Sequence, residues 1–386
     1  MAYRLPFAPE IPMPFLPFTR PAIDEDTIEG VAEVLRSGWL ASGPKVQEFE
    51  KALSDYLGGR TVRAMTSATE ALEIALRACG VDPDDEVITP AMSFVATANV
   101  ICRVGARPVF VDVDLGTRNI DLARAASAIT ARTKALMPVH FAGLPVDMDR
   151  LYELAGRHRL RVIEDAAHAI GSSWRGQRIG SFGDLVVFSF HPNKNITTIE
   201  GGAIAGASGD ELHAIERHRF HGLTRSDGGE AEVHLPGGKS NLSDVAARVG
   251  LGQLPHLDAW NARRRMLVAR YFESLQPEPA MLLPARSAEG HSWHVFTPLL
   301  PLDRLTITRA GFIGEMRERG IGVGVHYPAV HLFEHYRSLG YGDGDFPNAE
   351  RIGRETVTLP LFPAMTTEDV DRVCAAVGAI LKAHRR

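Results

Sequence analysis

The sequence predicts an α/β protein: a large domain on a mostly parallel seven-stranded sheet, followed by a smaller α+β C-terminal domain. Three observations carry this. Short apolar and β-branched runs recur through the first two-thirds of the chain. Helical patterns lie between several of them. The texture then changes after about Leu254 into a long, heavily charged helical stretch. Strands that are nearly continuous in apolar residues are buried on both faces, and alternation with helices is the pattern of a parallel sheet.

In chain order, strands are expected at Val62–Ser67, Glu86–Thr89, Pro108–Val113, Ala135–Val139, Arg161–Glu164, Leu185–Phe190 and Gly202–Ala205. The helix Thr69–Ala78 places Ala71, Leu72, Ala75 and Leu76 on one face. Asp121–Ile129 and Asp147–Arg157 read as helices too. His256–Leu275 is a long helix that can bridge two domains, and the boundary is placed within it. The division is 1–255 for the large domain with an N-terminal arm, and 256–386 for the small one. In the second part, strands are expected near His294–Leu299 and Gly322–His326. The last helix, Thr367–His384, can be capped by Thr366 or Thr367, with Glu368, Asp369 and Asp371 in its first turn suiting the helix dipole.

The 386 residues suit a two-domain enzyme. Apolar residues make up 45% and charged residues 23%, as in an ordinary globular protein. The formal net charge of -5 provides no basic stripe for a nucleic acid. Cys79, Cys102 and Cys374 lie far apart and suggest neither a zinc site nor a disulfide framework; they fit a reducing cytoplasm. The start, MAYRLPFAPEIPMPFLPF, reads as neither a signal peptide nor a membrane span. No membrane insertion is expected. His331 and His335 have helical metal spacing, but no third ligand stands out. They are assigned to a surface, and no metal is expected.

Three features fall at predicted strand ends, where open α/β sheets bind ligands. The first is Thr66-Ser67-Ala68-Thr69-Glu70, a strand running into a helix. Free N–H groups, hydroxyls and the helix dipole make such a place an anion site suited to phosphate. A plain N-cap is the commoner use. The second is Glu164-Asp165-Ala166-Ala167-His168. A buried carboxylate needs a partner. That partner can be a protonated pyridine nitrogen, or Asp165 can simply cap the next turn. The third is Phe188-Ser189-Phe190-His191-Pro192-Asn193-Lys194-Asn195, followed by Glu200-Gly201-Gly202. A lysine behind an apolar strand can be desolvated, so that its neutral amine attacks a carbonyl. Most lysines are instead solvated. Together and in this order, cradle, acid and lysine match what one cofactor requires, pyridoxal 5'-phosphate.

The chain resembles the sugar aminotransferases of the DegT/DnrJ/EryC1/StrS family, of fold type I among pyridoxal-phosphate-dependent transferases. The motifs are GWLASGPKVQEFE, TSATEAL, DEVITPAMSFVATAN, PVHFAGLPVDMD, IEDAAHAIGSSWRGQRIGSFGD, FSFHPNKNITTIEGG and HSWHVF. The likeness runs from Leu16-Pro17-Phe18 to Leu359-Pro360-Leu361-Phe362-Pro363. It implies that Lys194 carries the cofactor and acts as general acid and base, and that Asp165 pairs with the pyridine nitrogen. Ser67, Ala68 through its backbone, Thr69 and Ser189 would hold the phosphate. Phe94 would pack on one face of the ring and His168, in a place usually held by Gln, on the other. His326-Tyr327 resembles the family's His-Tyr near the substrate.

The resemblance also implies a homodimer with shared sites. Where many members carry Asn-Tyr-Arg, this chain has Lys239-Ser240-Asn241, so Lys239 and Asn241 are the candidates to reach the partner's cofactor phosphate. Lys194-Asn195-Ile196-Thr197, Phe220-His221-Gly222-Leu223 and Glu318-Arg319-Gly320-Ile321-Gly322 resemble the subgroup that makes UDP-4-amino-4-deoxy-L-arabinose for lipid A. The expected partners are therefore a nucleotide-linked keto-sugar and L-glutamate/2-oxoglutarate. Rival expectations are a 4-aminotransferase for a UDP-N-acetyl 4-keto-dideoxy sugar, and a non-enzymatic cofactor-binding regulator.

Overall fold

A computed structural model describes residues 15–225, 229–286 and 290–386. The reading of the proline-rich start spans residues 1–18, of which 1–14 lie outside the described residues. Seven strands form the central sheet: β1 Val62–Met65, β2 Glu86–Pro90, β3 Arg107–Val111, β4 Thr133–Leu136, β5 Arg161–Asp165, β6 Leu185–Ser189 and β7 Gly202–Ala205. Their spatial order is β1-β7-β6-β5-β4-β2-β3. Five of the strands pair in parallel from β6 to β3, while β7 runs antiparallel to both β1 and β6. All seven expected strands are present, with shifted ends. The expected fourth strand, Ala135–Val139, stops at Leu136. Pro138 has no N–H to extend the ladder, and Val139 keeps only an isolated bridge to Asp165.

Both faces of the sheet are covered. Phe49, Leu53, Ile88, Leu136, Val162 and Phe188 belong to one buried cluster, and Leu72, Leu76, Val87, Ile163 and Val187 to another. A further cluster is built from the long helix and the C-terminal residues beyond it. Leu267, Tyr271, Phe272, Phe296, Phe312 and Val377 are buried there, joined by Leu16 from the chain start. No described helix is long and apolar enough to cross a membrane.

The long helix runs Leu257–Ser274 and the last Thr367–Ala383. Thr366 is the cap of the latter: its hydroxyl accepts the Asp369 N–H while Asp369 accepts the Thr366 N–H, so two otherwise free donors are satisfied. The strands expected at His294–Leu299 and Gly322–His326 are corrected. These segments make only isolated bridges, Phe296 to Leu359, Leu299 to Leu282 and Thr356, and Gly324 to Thr358. Pro298, Pro328 and Pro360 remove the donors that a continuous ladder needs. His331 is also corrected: it is fully buried, with Nε2 3.3 Å from Glu350 Oε1.

The strand register builds one corner of the molecule with care for space. Gly202 opens β7 and stands opposite both Met65 of β1 and Ser189 of β6. It therefore lies between the start of the helix Ala68–Ala78 and the end of β6. A Cβ there would sit 2.4 Å from the Ala68 nitrogen and 2.5 Å from the Ser67 carbonyl carbon. Backbone cannot give way as a side chain can. Gly202→Ala is expected to cost roughly 1–3 kcal/mol, read as a lower Tm in thermal unfolding. An unchanged Tm would mean that this corner is not close-packed.

Candidate active site

A cavity of about 300 Å³ opens at the C-terminal ends of β1, β5 and β6. Ser67, Ala68, Thr69, Phe94, Asp165, His168, Ser189, Lys194, His326 and Tyr327 all line it. Ten of the twelve residues named from sequence thus meet around one space.

The strand β1 ends and Ser67 becomes the N-cap of the helix Ala68–Ala78, its Oγ accepting the Glu70 N–H at 3.1 Å. Ser67 caps the helix and also lines the cavity, so the cap does not remove it from the candidate site. The Ala68 and Thr69 N–H groups come before the first intrahelical donor, the Ala71 N–H that bonds the Ser67 carbonyl. With the helix dipole they offer an anion two donors. Ser189 ends β6 across Gly202, only 7% exposed. The absent Cβ of Gly202 leaves these groups free to close on one small anion.

Asp165 ends β5 and is 5% exposed. Thr97 Oγ1 donates to its Oδ2 at 2.7 Å, and the Ala167 N–H to its Oδ1 at 3.1 Å. Ser93 Oγ lies 2.6 Å from Thr97 Oγ1 and extends the chain of hydroxyls. Burial pushes the Asp165 pKa up; the Thr97 and Ala167 bonds and the charge of Lys194 oppose it. Behind Asp165 lies a second buried carboxylate, Glu164, which accepts from Tyr152 Oη at 2.6 Å and His140 Nε2 at 2.9 Å. The Val146 N–H donates to His140 Nδ1 at 3.1 Å, which leaves the ring proton on Nε2.

Lys194 follows β6 and is half-buried. Burial lowers its pKa from the usual 10.5 to about 8, against the opposing pull of Asp165. Its neighbour Asn195 is tied down: Nδ2 donates to Asn261 Oδ1 at 2.8 Å and to the Ser292 carbonyl at 3.1 Å, and Oδ1 accepts from His294 Nδ1 at 3.2 Å. Asn261 stands on the long helix and donates to the Ile170 carbonyl at 3.2 Å.

Phe94 is 53% exposed at the cavity and its ring lies 5.6 Å from that of Tyr327. A core position is thereby ruled out for it. His168 is buried and makes contacts with Ala142 and Tyr327. His326 turns its Nδ1 to Thr358 Oγ1 at 2.7 Å, and burial, with Lys194 nearby, pushes its pKa down to about 4. Lys239 and Asn241 stand outside the cavity of their own chain. Lys239 Nζ donates to Asn241 Oδ1 at 2.5 Å and sits 4.9 Å from the Phe220 ring centre. Asn241 in turn contacts Ser42.

Thr97, Ser93 and His140 were not singled out from sequence. The first two carry a signal, hydroxyls four apart in Ser-Phe-Val-Ala-Thr beside a predicted strand end. His140 has none that distinguishes it from an ordinary core histidine.

The donor set fits pyridoxal phosphate: an anion cradle, a buried carboxylate for a cationic ring nitrogen, and an amine of lowered pKa. A sheet of this order with that set on its C-terminal edge defines a pyridoxal-phosphate-dependent transferase of fold type I. A model of the DegT/DnrJ/EryC1/StrS aminotransferase family matches residues 21–378, and the chain belongs to that family. Its cofactor is pyridoxal 5'-phosphate, and its class is that of the sugar aminotransferases. The chain is 40% identical over 379 residues to the spore coat polysaccharide biosynthesis protein SpsC of Bacillus subtilis, covering 95% of this chain and 97% of that one. The sugar aminotransferase Spr1654 of Streptococcus pneumoniae, solved in its PMP form, superposes with a TM-score of 0.90 at 32% identity over 95% of this chain and 99% of that one. PseC of Helicobacter pylori, an aminotransferase involved in the biosynthesis of pseudoaminic acid, gives a TM-score of 0.90 at 28% identity over 96% and 100%.

Only the neutral amine of Lys194 attacks a carbonyl. In cofactor-free protein, the rate at which added pyridoxal phosphate develops its absorbance band should rise with pH and level off above an inflection near 8. A free alkylamine serves as the reference. An inflection at the ordinary lysine value of 10.5 would contradict the desolvation of this amine.

Proposed function

We propose that this enzyme moves an amino group from glutamate to the 4-keto group of a UDP-linked sugar. The proposed substrate is a UDP-4-keto-pentose, giving UDP-4-amino-4-deoxy-L-arabinose for lipid A modification in the cytoplasm. The observation that carries the transamination is the meeting of Lys194, Asp165 and the Ser67–Thr69 cradle on one cavity. The sugar rests on the stretches around Lys194, Phe220 and Glu318 that resemble that subgroup. PseC, named for pseudoaminic acid biosynthesis, favours a second reading: a 4-aminotransferase for a UDP-N-acetyl 4-keto-dideoxy sugar.

Bound in the cradle, pyridoxal phosphate supplies an electron sink conjugated to the reacting carbon. Ser67, Ala68, Thr69 and Ser189 hold its phosphate. Asp165 holds a proton on the ring nitrogen, with Thr97 keeping that carboxylate ionised and aimed. Phe94 and His168 keep the ring flat between them. Lys194 binds the cofactor as a neutral amine, and once released it moves the proton at the substrate carbon. Two chains form a dimer in this reading, and Lys239 or Asn241 of each reaches the other's phosphate. Their place outside the cavity of their own chain supports that role.

The test is an absorbance spectrum of the purified enzyme with cofactor, then product analysis with glutamate and a panel of UDP-keto-sugars. Wild type should show a band near the visible edge and convert the pentose. Lys194→Ala should lose that band and about a thousandfold or more of the activity. Asp165→Asn should keep the band and lose activity. Conversion of only the N-acetyl dideoxy sugar would move the assignment to the second reading. A wild type without a band would overturn the transamination itself.

A further inference from the structure

Tyr327 lines the same cavity as Lys194, and one buried ring decides what its hydroxyl can offer. The Ala142 N–H donates to His168 Nδ1 at 3.2 Å. A ring nitrogen that accepts a backbone N–H carries no proton, so the neutral ring bears its proton on Nε2. Nε2 lies 3.1 Å from Tyr327 Oη and donates to it. The phenol oxygen is thereby an acceptor, and its own proton is left for another group. Among the described residues Tyr327 Oη has no second hydrogen-bond partner.

The surroundings hold His168 in this state. Ala142 sits in the left-handed region at φ 56°, ψ 7°, and Gly143 comes next at φ 93°. An alanine is strained there, and the turn it makes is what directs its N–H at the ring. His294 packs on one side with ring centres 4.4 Å apart, and Phe141 stands edge-on at 6.0 Å. Burial, with Lys194 and His326 nearby, keeps the His168 pKa well below the usual histidine value. Protonating Nδ1 would also set two hydrogens against each other at Ala142.

We propose that His168 is a positioning residue with a fixed tautomer: it turns the Tyr327 hydroxyl into a hydrogen-bond donor for an oxygen of the bound keto-sugar. It takes no part in proton transfer itself. Tyr327 is then the group that meets substrate, and His168 acts through it. The role in the reaction rests on the proposed sugar-aminotransferase function; the tautomer rests on geometry alone. Glutamine carries an acceptor oxygen and a donor nitrogen about as far apart as the two imidazole nitrogens. It can keep both bonds, whereas leucine fills the space and makes neither.

The test compares holoenzyme variants Tyr327→Phe, His168→Gln, His168→Leu and the double His168→Leu/Tyr327→Phe. Tyr327→Phe should lower kcat/KM for the keto-sugar about 10- to 100-fold, the range for loss of one hydrogen bond to substrate, with the cofactor band unchanged. His168→Leu should match it, the double variant should be no worse than either single, and His168→Gln should stay within about threefold of wild type. Nitrogen-15 NMR of histidine-labelled holoenzyme should find His168 protonated on Nε2 and bare on Nδ1. Losses that multiply in the double variant would overturn the proposal, because what His168 does beyond packing on the ring, which leucine retains, would then not pass through Tyr327. A protonated Nδ1 would overturn it as well. If wild type binds cofactor but converts no sugar, the substrate reading falls, and the NMR measurement still decides the tautomer.

Discussion

Asp165 is a carboxyl group with almost no solvent, and most of the site is arranged around it. A carboxylate in such a place costs several kcal/mol unless donors replace its water. Thr97 and the Ala167 N–H supply two bonds directly, and Lys194 supplies an opposite charge across the cavity. Helix capping, strand register and the hydroxyl chain from Ser93 all serve to keep these groups in reach. The same field acts on the lysine. Burial lowers the pKa of its amine to about 8, and Asp165 opposes that shift. Acid and amine are thus tuned against each other by one shared desolvation.

Phosphate binding obeys a different logic. Among the described residues no arginine lines the cavity, and the proposed cradle draws on backbone N–H groups and two serines. A chain with a net charge of -5 can hold a dianion in this way because the favourable potential is local to a helix start. Gly202 is the steric condition. Its position opposite both Met65 and Ser189 comes from β7 running against its neighbours, so the reversal in the sheet is also what opens the cradle.

Strands buried on both faces leave an unbroken apolar run, and that is why all seven could be read from the chain, to within a few residues at their ends. The acid and the lysine were legible for a similar reason, being charged residues where charge is costly. Thr97 was not, because a threonine at the start of a helix has an ordinary use that spacing does not separate from a bond to Asp165. In the C-terminal part, strands are expected near His294–Leu299 and Gly322–His326. Prolines in and beside those segments reduce the pairing to single bridges, a tertiary outcome that periodicity does not contain. Lys239 and Asn241 pose a further problem: the groups they touch within their own chain do not include the cavity.

The seam through Asn195 has a mechanical meaning. It joins the lysine loop, the long helix, Ile170 and the His291–His294 stretch by buried hydrogen bonds, each worth about 0.5–1.5 kcal/mol net. A hinge opening of the C-terminal part would have to break these bonds. Ligand traffic is therefore cheaper past the exposed Phe94 side of the cavity. The lysine loop is thereby fastened to the C-terminal part at the same residues that stand behind the cavity.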